Sequence, residues 1–342
     1  MQQQNKHQES LAAQTLFDMA TGFMRTGALI AAAQLGIADI LEQGPQSPLD
    51  IATAAGAEPD TTDRLLRTLV RLGVLQNFED GCYANTPMST FLLDRHPASM
   101  RPFLLLAGDK SWWHAWGELA GSIRTGEPAF KRVFGMEYDD YLQNHPDLAV
   151  IFNRCMTSTA QANNAAIIDQ YDFSPYRTVM DIGGNHGSLL IAILEQYPQM
   201  NGVLFDLPHV IETCPEMDTA LSPRSELTGG NFFAFVPSGG DIYLLKQILH
   251  DWDDDQALRI LKNCSKAMHR NARLLIIETV LDKENASVVN YLFDLHMLVT
   301  ASGGKERTES EFHRLLERTG FRTIRTLQTP VSFCIIEAIK EA

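Results

Sequence analysis

Residues 179–187 place the strongest constraint on the fold of this chain. Val179 and Met180 end an apolar run that predicts a buried strand, and Asp181 follows at its end. The glycines at positions 183, 184 and 187 permit a tight turn and a close approach of the backbone to a ligand. Residues 188–195 then predict a helix. A strand, a glycine turn and a helix in this order predict a nucleotide-type pocket, although an ordinary strand–turn–helix corner has the same pattern.

The glycine spacing argues against a dinucleotide-binding loop. That fingerprint needs glycines at i, i+2 and i+5, which are the positions of Gly183, Asn185 and Ser188 in this sequence. The carboxylate of Asp181 would also repel a pyrophosphate, because like charges repel. Asp181 instead favours a ligand that carries positive charge, such as S-adenosylmethionine with its sulfonium and amino groups. An NAD-dependent dehydrogenase is therefore disfavoured.

Length and composition predict a soluble, globular protein of two domains. The 342 residues suffice for two domains of ~150 residues each, and 45% of them are hydrophobic. No run approaches ~18 apolar residues, so no membrane span is expected. Residues 1–11 lack the features of a signal peptide and are expected to be a loose polar lead-in. The five scattered cysteines contain no Cys-x-x-Cys, which predicts reduced thiols in the cytoplasm and no zinc site.

Residues 10–165 carry patterns typical of helices. Apolar and small residues recur at helical spacing over 17–41, which favours close helix packing. A short helix is predicted over 47–55 and an amphipathic helix over 62–75, with a turn between them. Residues 77–81 carry a hairpin signal. Helix, turn, helix and hairpin in this order predict a winged-helix module.

A winged helix serves either to bind DNA or to pack and dimerise. Between residues 45 and 100, seven acidic side chains stand against four basic ones, and the whole chain has a net charge of −14. Binding to phosphate groups needs concentrated Lys and Arg. We therefore expect a packing unit and no nucleic-acid partner. A winged-helix regulator that senses a small molecule is the alternative from another class.

From residue 175 onward, predicted strands alternate with predicted helices. This alternation predicts an α/β domain with a doubly wound, Rossmann-like sheet and helices on both faces. Ligands of such sheets bind at the carboxyl ends of the strands. The predicted domains are 1–165 and 166–342. The strands are predicted at 178–182, 202–205, 225–228, 242–246, 273–278 and 331–338, and helices lie between them, including 255–267 and 310–319.

Polar residues follow the second and third of these strands. Asp206 ends the second strand, where a carboxylate can accept hydrogen bonds from both hydroxyls of an adenosine ribose. It fits equally well as a helix cap. Asn231 and Phe232 follow the third strand, where an amide can meet the edge of adenine and a ring can stack on it. A turn asparagine followed by a core phenylalanine explains the same residues.

His250 is the candidate general base. A strand ends at Lys246 and His250 follows it, near the same edge of the sheet. Imidazole has an ordinary pKa of ~6.5, which suits proton removal near neutral pH. Glu278 ends the next strand and Glu306 follows a glycine turn, and a carboxylate beside a histidine stabilises the imidazolium. A single histidine is also often structural, and spacing alone does not bring these groups together.

In combination, these motifs resemble those of the S-adenosylmethionine-dependent O-methyltransferases of the plant caffeate/flavonoid type. The similarity is strongest to bacterial relatives that act on phenazine and anthracycline scaffolds. It covers nearly the whole chain and implies a homodimer formed by the N-terminal part. It also implies a small aromatic acceptor, S-adenosylhomocysteine as a product, and no metal. The motifs lie at residues 181–187, 205–208, 245–254, 278–280 and 303–308.

The resemblance also implies roles for single residues. His250 would deprotonate the acceptor hydroxyl, with Glu278 and Glu306 on either side of it. Core packing explains the acceptor-lining candidates equally well, the aromatic cluster around Trp112 included. The positions that match the cofactor-contacting residues of the family are Gly183, Asp206, Asn231, Phe232 and Lys246. Asp181 is a further cofactor-binding candidate because of its negative charge. The positions that match its acceptor-lining residues are Phe152, Met156, His296 and Met297, with Trp112 as a further candidate.

Two residues depart from the pattern of the family. Asn185 stands where a third consecutive glycine is usual, and Asn231 stands where an aspartate is usual. Asparagine tolerates the left-handed conformation better than most residues, so the loop is expected to keep its shape. Asn231 can still accept a hydrogen bond from the adenine amine, but without a charge. These departures keep open an alternative enzyme of the same fold that does hydroxylation, decarboxylation or pericyclic chemistry.

Overall fold

The computed structural model describes residues 2–212, 214, 223–284 and 286–341. These residues form two units. The N-terminal unit runs as far as Trp113 and includes Pro146–Ser158, and the C-terminal unit comprises His114–His145 and the described residues from Thr159 onward. This division differs from the predicted domains 1–165 and 166–342. Residues 114–145 belong with the later part of the chain because Ala115, Ala129 and Phe130 share a buried apolar cluster with Val299.

The N-terminal unit consists mainly of helices. The helix Pro146–Gln170 crosses from this unit into the next, and the predicted boundary at 165/166 lies inside it. The other helices of this unit are α1 (Gln2–Ala20), α2 (Gly22–Gln34), α3 (Ile37–Ile40), α4 (Pro48–Ala55), α5 (Pro59–Arg71), α6 (Arg101–Ala107) and, across its boundary at Trp113, α7 (Lys110–Gly117). The two strands are β1 (Leu75–Asn77) and β2 (Tyr83–Asn85).

Helix α1 corrects one prediction. The predicted loose polar lead-in at residues 1–11 is wrong for the described residues 2–11, because α1 already begins at Gln2. Four of these eleven residues are glutamine, and the stretch also contains lysine, glutamate and leucine, all of which have good helix propensity. A polar composition therefore concealed a regular helix.

The predicted winged-helix module is confirmed. Ser47 caps α4 by accepting a hydrogen bond from the backbone N–H of Asp50, and Glu58 caps α5 in the same way. Strands β1 and β2 pair as an antiparallel hairpin. Helix α5 ends at Arg71 instead of continuing to residue 75, because Gly73 adopts a left-handed φ of 75° and Leu75 enters the hairpin.

The C-terminal unit has helices and strands in alternation. One further helical turn of this unit, Leu249–Asp251, is of the 3₁₀ type. The helices are α8 (Leu119–Thr125), α9 (Ala129–Phe134), α10 (Tyr138–Asn144), α11 (Pro146–Gln170), α12 (Ser188–Gln196), α13 (Pro208–Ile211), α14 (Asp254–Ala267), α15 (Val288–Thr300) and α16 (Glu309–Glu317). The strands are β3 (Thr178–Ile182), β4 (Asn201–Asp206), β5 (Ser225–Gly229), β6 (Ile242–Lys246), β7 (Arg273–Thr279), β8 (Phe321–Gln328) and β9 (Phe333–Lys340).

These strands form one sheet in the order β5-β4-β3-β6-β7-β9-β8. Strands β3 to β7 pair in parallel, whereas β9 lies antiparallel between β7 and β8. The predicted doubly wound α/β class is confirmed. Strand β8 was not predicted because its sequence is largely polar. Five of its eight residues, including Arg322 and Arg325, are Thr, Arg or Gln.

Alternate residues of the central strand belong to opposite cores. Ile242 and Leu244 lie in one buried cluster with side chains of α12. Tyr243 and Leu245 lie in a second cluster with side chains of α14 and α16. A strand covered on both faces is apolar throughout, which is why β6 was visible in the sequence. The polar residues at the carboxyl ends of β3, β4, β6 and β7 consequently meet along one edge of the sheet.

Within the described residues, no single helix is long and apolar enough to cross a membrane. One bent pair of segments, His7–Gln34 with Ile37–Gln43, passes that test by length and composition only.

Candidate active site

The turn after β3 owes its shape to its glycines. Gly183 and Gly187 have left-handed φ values of 71° and 72°, and Asn185 has a φ of 53°. A Cβ atom at Gly184 would lie 2.5 Å from Cγ of Asp181. No side chain fits there without a shift of the strand end. Asn185 thus adopts the left-handed conformation that asparagine tolerates better than most residues, in agreement with the expectation that the loop keeps its shape.

Asp206 connects this turn to the end of β4. One carboxylate oxygen accepts a hydrogen bond of 2.8 Å from the backbone N–H of Asn185. The other accepts one of 2.7 Å from the backbone N–H of Leu207. Each carboxylate oxygen has a second lone pair, so the anchored group can still accept hydrogen bonds from a ligand. Its position fits the predicted contact with ribose hydroxyls.

The buried Asp181 and the half-buried Lys246 lie on adjacent strands. Burial raises the pKa of Asp181 to about 7, although the positive charge of Lys246 opposes this effect. Burial lowers the pKa of Lys246, and here the negative charges of Asp181 and Glu278 oppose it. Asp181 is only 3% exposed and packs beneath Gly184. It therefore influences a ligand mainly through its charge and through the shape of the turn.

Phe232 lies next to the glycine turn. Its ring is 3.5 Å from the point that a Cβ atom at Gly183 would occupy. Asn231 is exposed, and its side-chain oxygen accepts a hydrogen bond of 2.8 Å from the backbone N–H of Phe233. The structure thus places Phe232 beside the glycine turn, and its stacking on adenine stays a prediction. The same structure uses the amide oxygen of Asn231 to hold its own turn.

His250 lies in the 3₁₀ turn that follows β6, between two carboxylates. Its Nδ1 is 3.0 Å from Oε1 of Glu306, and its Nε2 is 3.4 Å from Oδ1 of Asp251. Burial lowers the pKa of His250, but the negative charges of Asp251, Glu278 and Glu306 outweigh it and raise the pKa to about 10. The site therefore holds a positive charge on His250 firmly.

Glu278 acts on the backbone of that turn. Its Oε1 accepts hydrogen bonds of 2.9 Å and 2.8 Å from the N–H groups of Ile248 and Leu249. Its Oε2 is buried and has no hydrogen-bond partner within the described residues. Burial raises the pKa of Glu278 to about 7, while the charge of His250 opposes this. Glu278 thus bonds the backbone of the turn, whereas Glu306 bonds the imidazole ring itself.

The predicted set of His250, Glu278 and Glu306 does come together. One nitrogen or oxygen atom from each residue lies within 4.8 Å of the others. A histidine and two carboxylates at this spacing have the donor chemistry of a divalent cation site. Nδ1 of His250 is already engaged by Glu306, however, which leaves a base and its orienting acid as the simpler description.

The predicted acceptor-lining residues are divided between the two units. In the N-terminal unit, Trp112 packs edge-on against Phe103 and Met156 is 39% exposed. In the C-terminal unit, His296 and Met297 lie on α15. Phe152 is half-buried in the N-terminal unit. A common acceptor pocket for these five residues stays a prediction.

His296 is held in one protonation state. Nε1 of Trp116 donates a hydrogen bond of 3.0 Å to Nδ1 of His296. Burial lowers the pKa of His296 to about 4, so the ring is neutral near pH 7. Met297 lies beside the turn that carries His250, because its Cε is 3.0 Å from the point that a Cβ atom at Gly304 would occupy.

Sequence reasoning missed two residues at the turn that carries His250. Asp251 and Arg307 both lie inside recognised motifs, but neither was assigned a role. The available signal was position alone: Asp251 follows His250 and Arg307 follows Glu306. Their contacts depend on the folded chain, because Arg307 meets the turn across more than 50 residues of sequence.

A sheet of this order, with an acid-lined glycine turn at its carboxyl edge, defines a nucleotide-cofactor enzyme of the methyltransferase class. The chain belongs to the O-methyltransferase family: residues 116–322 match the O-methyltransferase domain of that family and residues 17–95 match its dimerisation domain.

Named relatives cover almost the whole chain. It is 39% identical to a phenazine O-methyltransferase of Lysobacter antibioticus over 325 residues, which cover 94% of this chain and 95% of the relative. It is 33% identical to a phenazine-1-carboxylate N-methyltransferase of Pseudomonas aeruginosa, with 96% of this chain and 98% of the relative covered. The family therefore includes relatives named for oxygen and for nitrogen methylation.

A solved structure shows the same fold with a cofactor and an aromatic acid bound. It is an O-methyltransferase from neocarzinostatin biosynthesis in complex with S-adenosylmethionine and 2-hydroxy-5-methyl naphthoic acid. The TM-score is 0.76 at 32% sequence identity, and the match covers 92% of this chain and 96% of that chain.

Proposed function

We propose that this protein is an S-adenosylmethionine-dependent O-methyltransferase that acts on a hydroxyl group of a small aromatic secondary metabolite, with His250 as general base. The observation that carries the proposal is the 3.0 Å contact between His250 Nδ1 and Glu306 beside the glycine turn. The family membership and the named relatives support the reaction class.

The residues at the edge of the sheet fit the proposed cofactor. When bound, S-adenosylmethionine supplies a methyl group on a positively charged sulfur. Asp206 offers oxygens to ribose hydroxyls, Phe232 offers a ring beside Gly183, and Asp181 lies beneath the turn, where a bound positive charge favours its carboxylate form. Positive charge on a ligand is favourable near these acids. The departure at Asn231 removes one charge from this set.

The hydrogen bond of Glu306 decides which nitrogen of His250 acts. Because Nδ1 faces Glu306, Nε2 is the nitrogen that takes the proton of the acceptor hydroxyl. The carboxylates raise the pKa of His250 to about 10, so the ring has to lose a proton before it can act as a base. A positive charge bound at the same edge lowers the pKa of a nearby histidine. Cofactor binding is therefore expected to activate the base.

Two contributions to the rate follow from this arrangement. A positioned base typically supplies about 10²–10⁴-fold. Holding the acceptor oxygen in line with the methyl group adds more, since it replaces a bimolecular encounter with a fixed geometry. Within the C-terminal unit, we assign contact with a flat aromatic acceptor to His296 and Met297 on α15.

Nitrogen methylation is the second candidate, because one relative is named for it. An aromatic nitrogen offers its lone pair without losing a proton, whereas a phenol becomes a strong nucleophile only on deprotonation. The carboxylate-held His250 therefore favours a hydroxyl acceptor. The non-methylating alternative gains no support from the named relatives.

A homodimer is the proposed assembly. The dimerisation domain of the family matches residues 17–95, and α1 and α2 expose large apolar side chains such as Phe17 at 64% and Met19 at 71%. A second copy of the chain can bury this surface. The acidic composition argues against a nucleic-acid partner, and the scattered cysteines support a cytoplasmic location.

Calorimetric titration of the purified protein with S-adenosylmethionine and S-adenosylhomocysteine tests the cofactor. Micromolar binding of both is expected. A panel of hydroxylated phenazines, naphthoates and phenols, with release of S-adenosylhomocysteine as the readout, then tests the reaction. No binding of either compound would overturn the proposal, and binding without methyl transfer to any of the panel would favour the non-methylating alternative.

A further inference from the structure

The backbone around His250 is held by a buried guanidinium group. Arg307 is 0% exposed. Its Nη1 donates a hydrogen bond of 2.6 Å to the carbonyl oxygen of Leu249, and its Nη2 donates one of 2.7 Å to that of Trp252. The first oxygen belongs to the residue before His250 and the second lies two residues after it. Arg307 therefore ties together both sides of the catalytic turn.

The charge of Arg307 is neutralised at the start of the next helix. Nε and Nη2 donate hydrogen bonds of 3.1 Å and 2.9 Å to Oδ1 of Asp254, the first residue of α14. All three guanidinium nitrogens are thus engaged within the described residues. The group links the turn, the helix that follows it and the strand-like segment that pairs with Val280.

The residues before Arg307 in the sequence contact the same turn. The backbone N–H of Lys305 donates a hydrogen bond of 2.8 Å to the carbonyl oxygen of His250. The carboxylate of Glu306 meets the Nδ1 atom of His250 at 3.0 Å. Three consecutive residues therefore bond to one turn, and the two outer contacts fix the backbone on which the central His–Glu contact depends.

We propose that Arg307 is a positioning residue that sets the orientation of His250 toward Glu306, an inference that rests on the proposed role of His250. Its planar fork of donors reaches two carbonyl oxygens and one carboxylate at once. Lysine carries the same charge, but its ammonium is a single point that cannot satisfy this set of acceptors.

The test compares Arg307→Lys with Arg314→Lys. Arg314 is an exposed arginine on α16, whose nearest ion-pair contact, to Glu311, is 4.0 Å long. The Arg307 variant is expected to lose about 10²-fold in kcat, because a shift of ~1 Å at a reacting group can cost that much. Its affinity for S-adenosylmethionine should stay within about two-fold of the wild-type value, which separates orientation from binding. The Arg314 variant should match the wild type in both.

A second measurement, which needs no turnover, observes the imidazole ring of His250 directly. The titration of His250, observed by NMR of its ring protons, reports its contacts with Asp251, Glu278 and Glu306. These three carboxylates raise the pKa of His250, so a ring that moves away from Glu306 titrates at lower pH. The Arg307 variant should show this downward shift and the Arg314 variant should not. The ring titration can succeed even where no acceptor is methylated, so failure of the proposed function and failure of this inference are distinguishable.

If the Arg307 variant does not fold, a comparison of the single variants Asp254→Asn and Asp255→Asn tests the same proposal. Both aspartates lie in the first turn of α14, but only Asp254 contacts Arg307. The Asp254 variant should lower kcat and shift the titration of His250 downward, both to a smaller extent, while the Asp255 variant changes neither. The proposal is overturned if a folded Arg307→Lys protein keeps the wild-type kcat and His250 titration. It is also overturned if Asp254→Asn and Asp255→Asn behave alike.

Discussion

The two turns that carry the candidate site are shaped by different forces. The turn 183–187 after β3 depends on missing side chains, because a Cβ atom at Gly184 would collide with Asp181. The turn 247–252 after β6 contains no glycine and begins with Gln247 at a left-handed φ of 53°. Hydrogen bonds from Lys305 and Arg307 and to Glu278 hold it. The first turn is defined by sterics, the second by polar contacts with distant segments.

This difference predicts two kinds of mutational response. A steric turn tolerates no added atom, so a small substitution should damage cofactor binding and stability together. A hydrogen-bonded turn can survive a change of charge with its shape intact, so a substitution there should damage the chemistry while the cofactor still binds. Substitutions in each turn separate the two cases.

Among the substitutions that separate the two turns, Glu306→Gln should give the largest effect. Glutamine keeps the shape and can still accept a hydrogen bond from Nδ1, but it removes a charge that stabilises the imidazolium. We expect kcat to fall by about 10²-fold. Glu306 raises the pKa of His250, so its removal lowers that pKa, and the acid limb of the kcat/KM profile should move to lower pH. Steady-state kinetics from pH 5 to 10 measure both changes.

Glu317→Gln is the matched control for this variant. Glu317 is an exposed carboxylate at the end of α16, in the same region of the chain. Its removal should leave kcat and the pH profile unchanged. An unaltered acid limb in Glu306→Gln would mean that Glu306 does not set the charge of His250.

Gly184→Ala should weaken the glycine turn. The added methyl group would lie 2.5 Å from the carboxyl carbon of Asp181 and 2.6 Å from Cδ1 of Leu204. Overpacking of this kind costs about 1–3 kcal/mol, and we expect a lower Tm together with about 10-fold weaker binding of S-adenosylmethionine. Thermal melts and calorimetry measure the two effects. Gly117→Ala, where nothing lies within 4 Å of the added atom, should change neither; wild-type binding by Gly184→Ala would show that the turn can yield.

Asn231→Asp should give the smallest effect and in the opposite direction. The new carboxylate can keep the hydrogen bond from the N–H of Phe233 and adds a negative charge at the cofactor edge. A charged acceptor forms the stronger hydrogen bond, so S-adenosylmethionine should bind about three- to ten-fold more tightly. Calorimetry checks this, with Asn271→Asp as an exposed control of equal charge. Weaker binding by Asn231→Asp would show that the neutral amide is the better fit.

The two turns also differ in how far the sequence predicts them. Glycines next to an apolar strand are a local signal, so the turn 183–187, the left-handed Asn185 and the parallel sheet were all predictable. The buried runs of β3, β6 and β7 are visible because both of their faces are covered. Strand β8 was not, because it is largely polar and lies at the edge of the sheet.

The catalytic turn could be predicted only in part. The motifs marked His250, Glu278 and Glu306, and the structure brings them together. The division of labour among them was not readable, because Glu278 bonds the backbone of Ile248 and Leu249 instead of the imidazole ring. Such contacts join residues that lie about 30 to 60 positions apart, and they depend on the register of neighbouring strands.

His250→Ala addresses the proposed chemistry itself. The rate of S-adenosylhomocysteine release is measured with a hydroxylated aromatic acceptor at saturation, and the affinity for S-adenosylmethionine is measured by calorimetry on the same protein. We predict that kcat falls by about 10²–10⁴-fold while the affinity stays close to that of the wild type. A variant that keeps the wild-type rate, or that loses rate and affinity to the same extent, would contradict the role of His250 as general base.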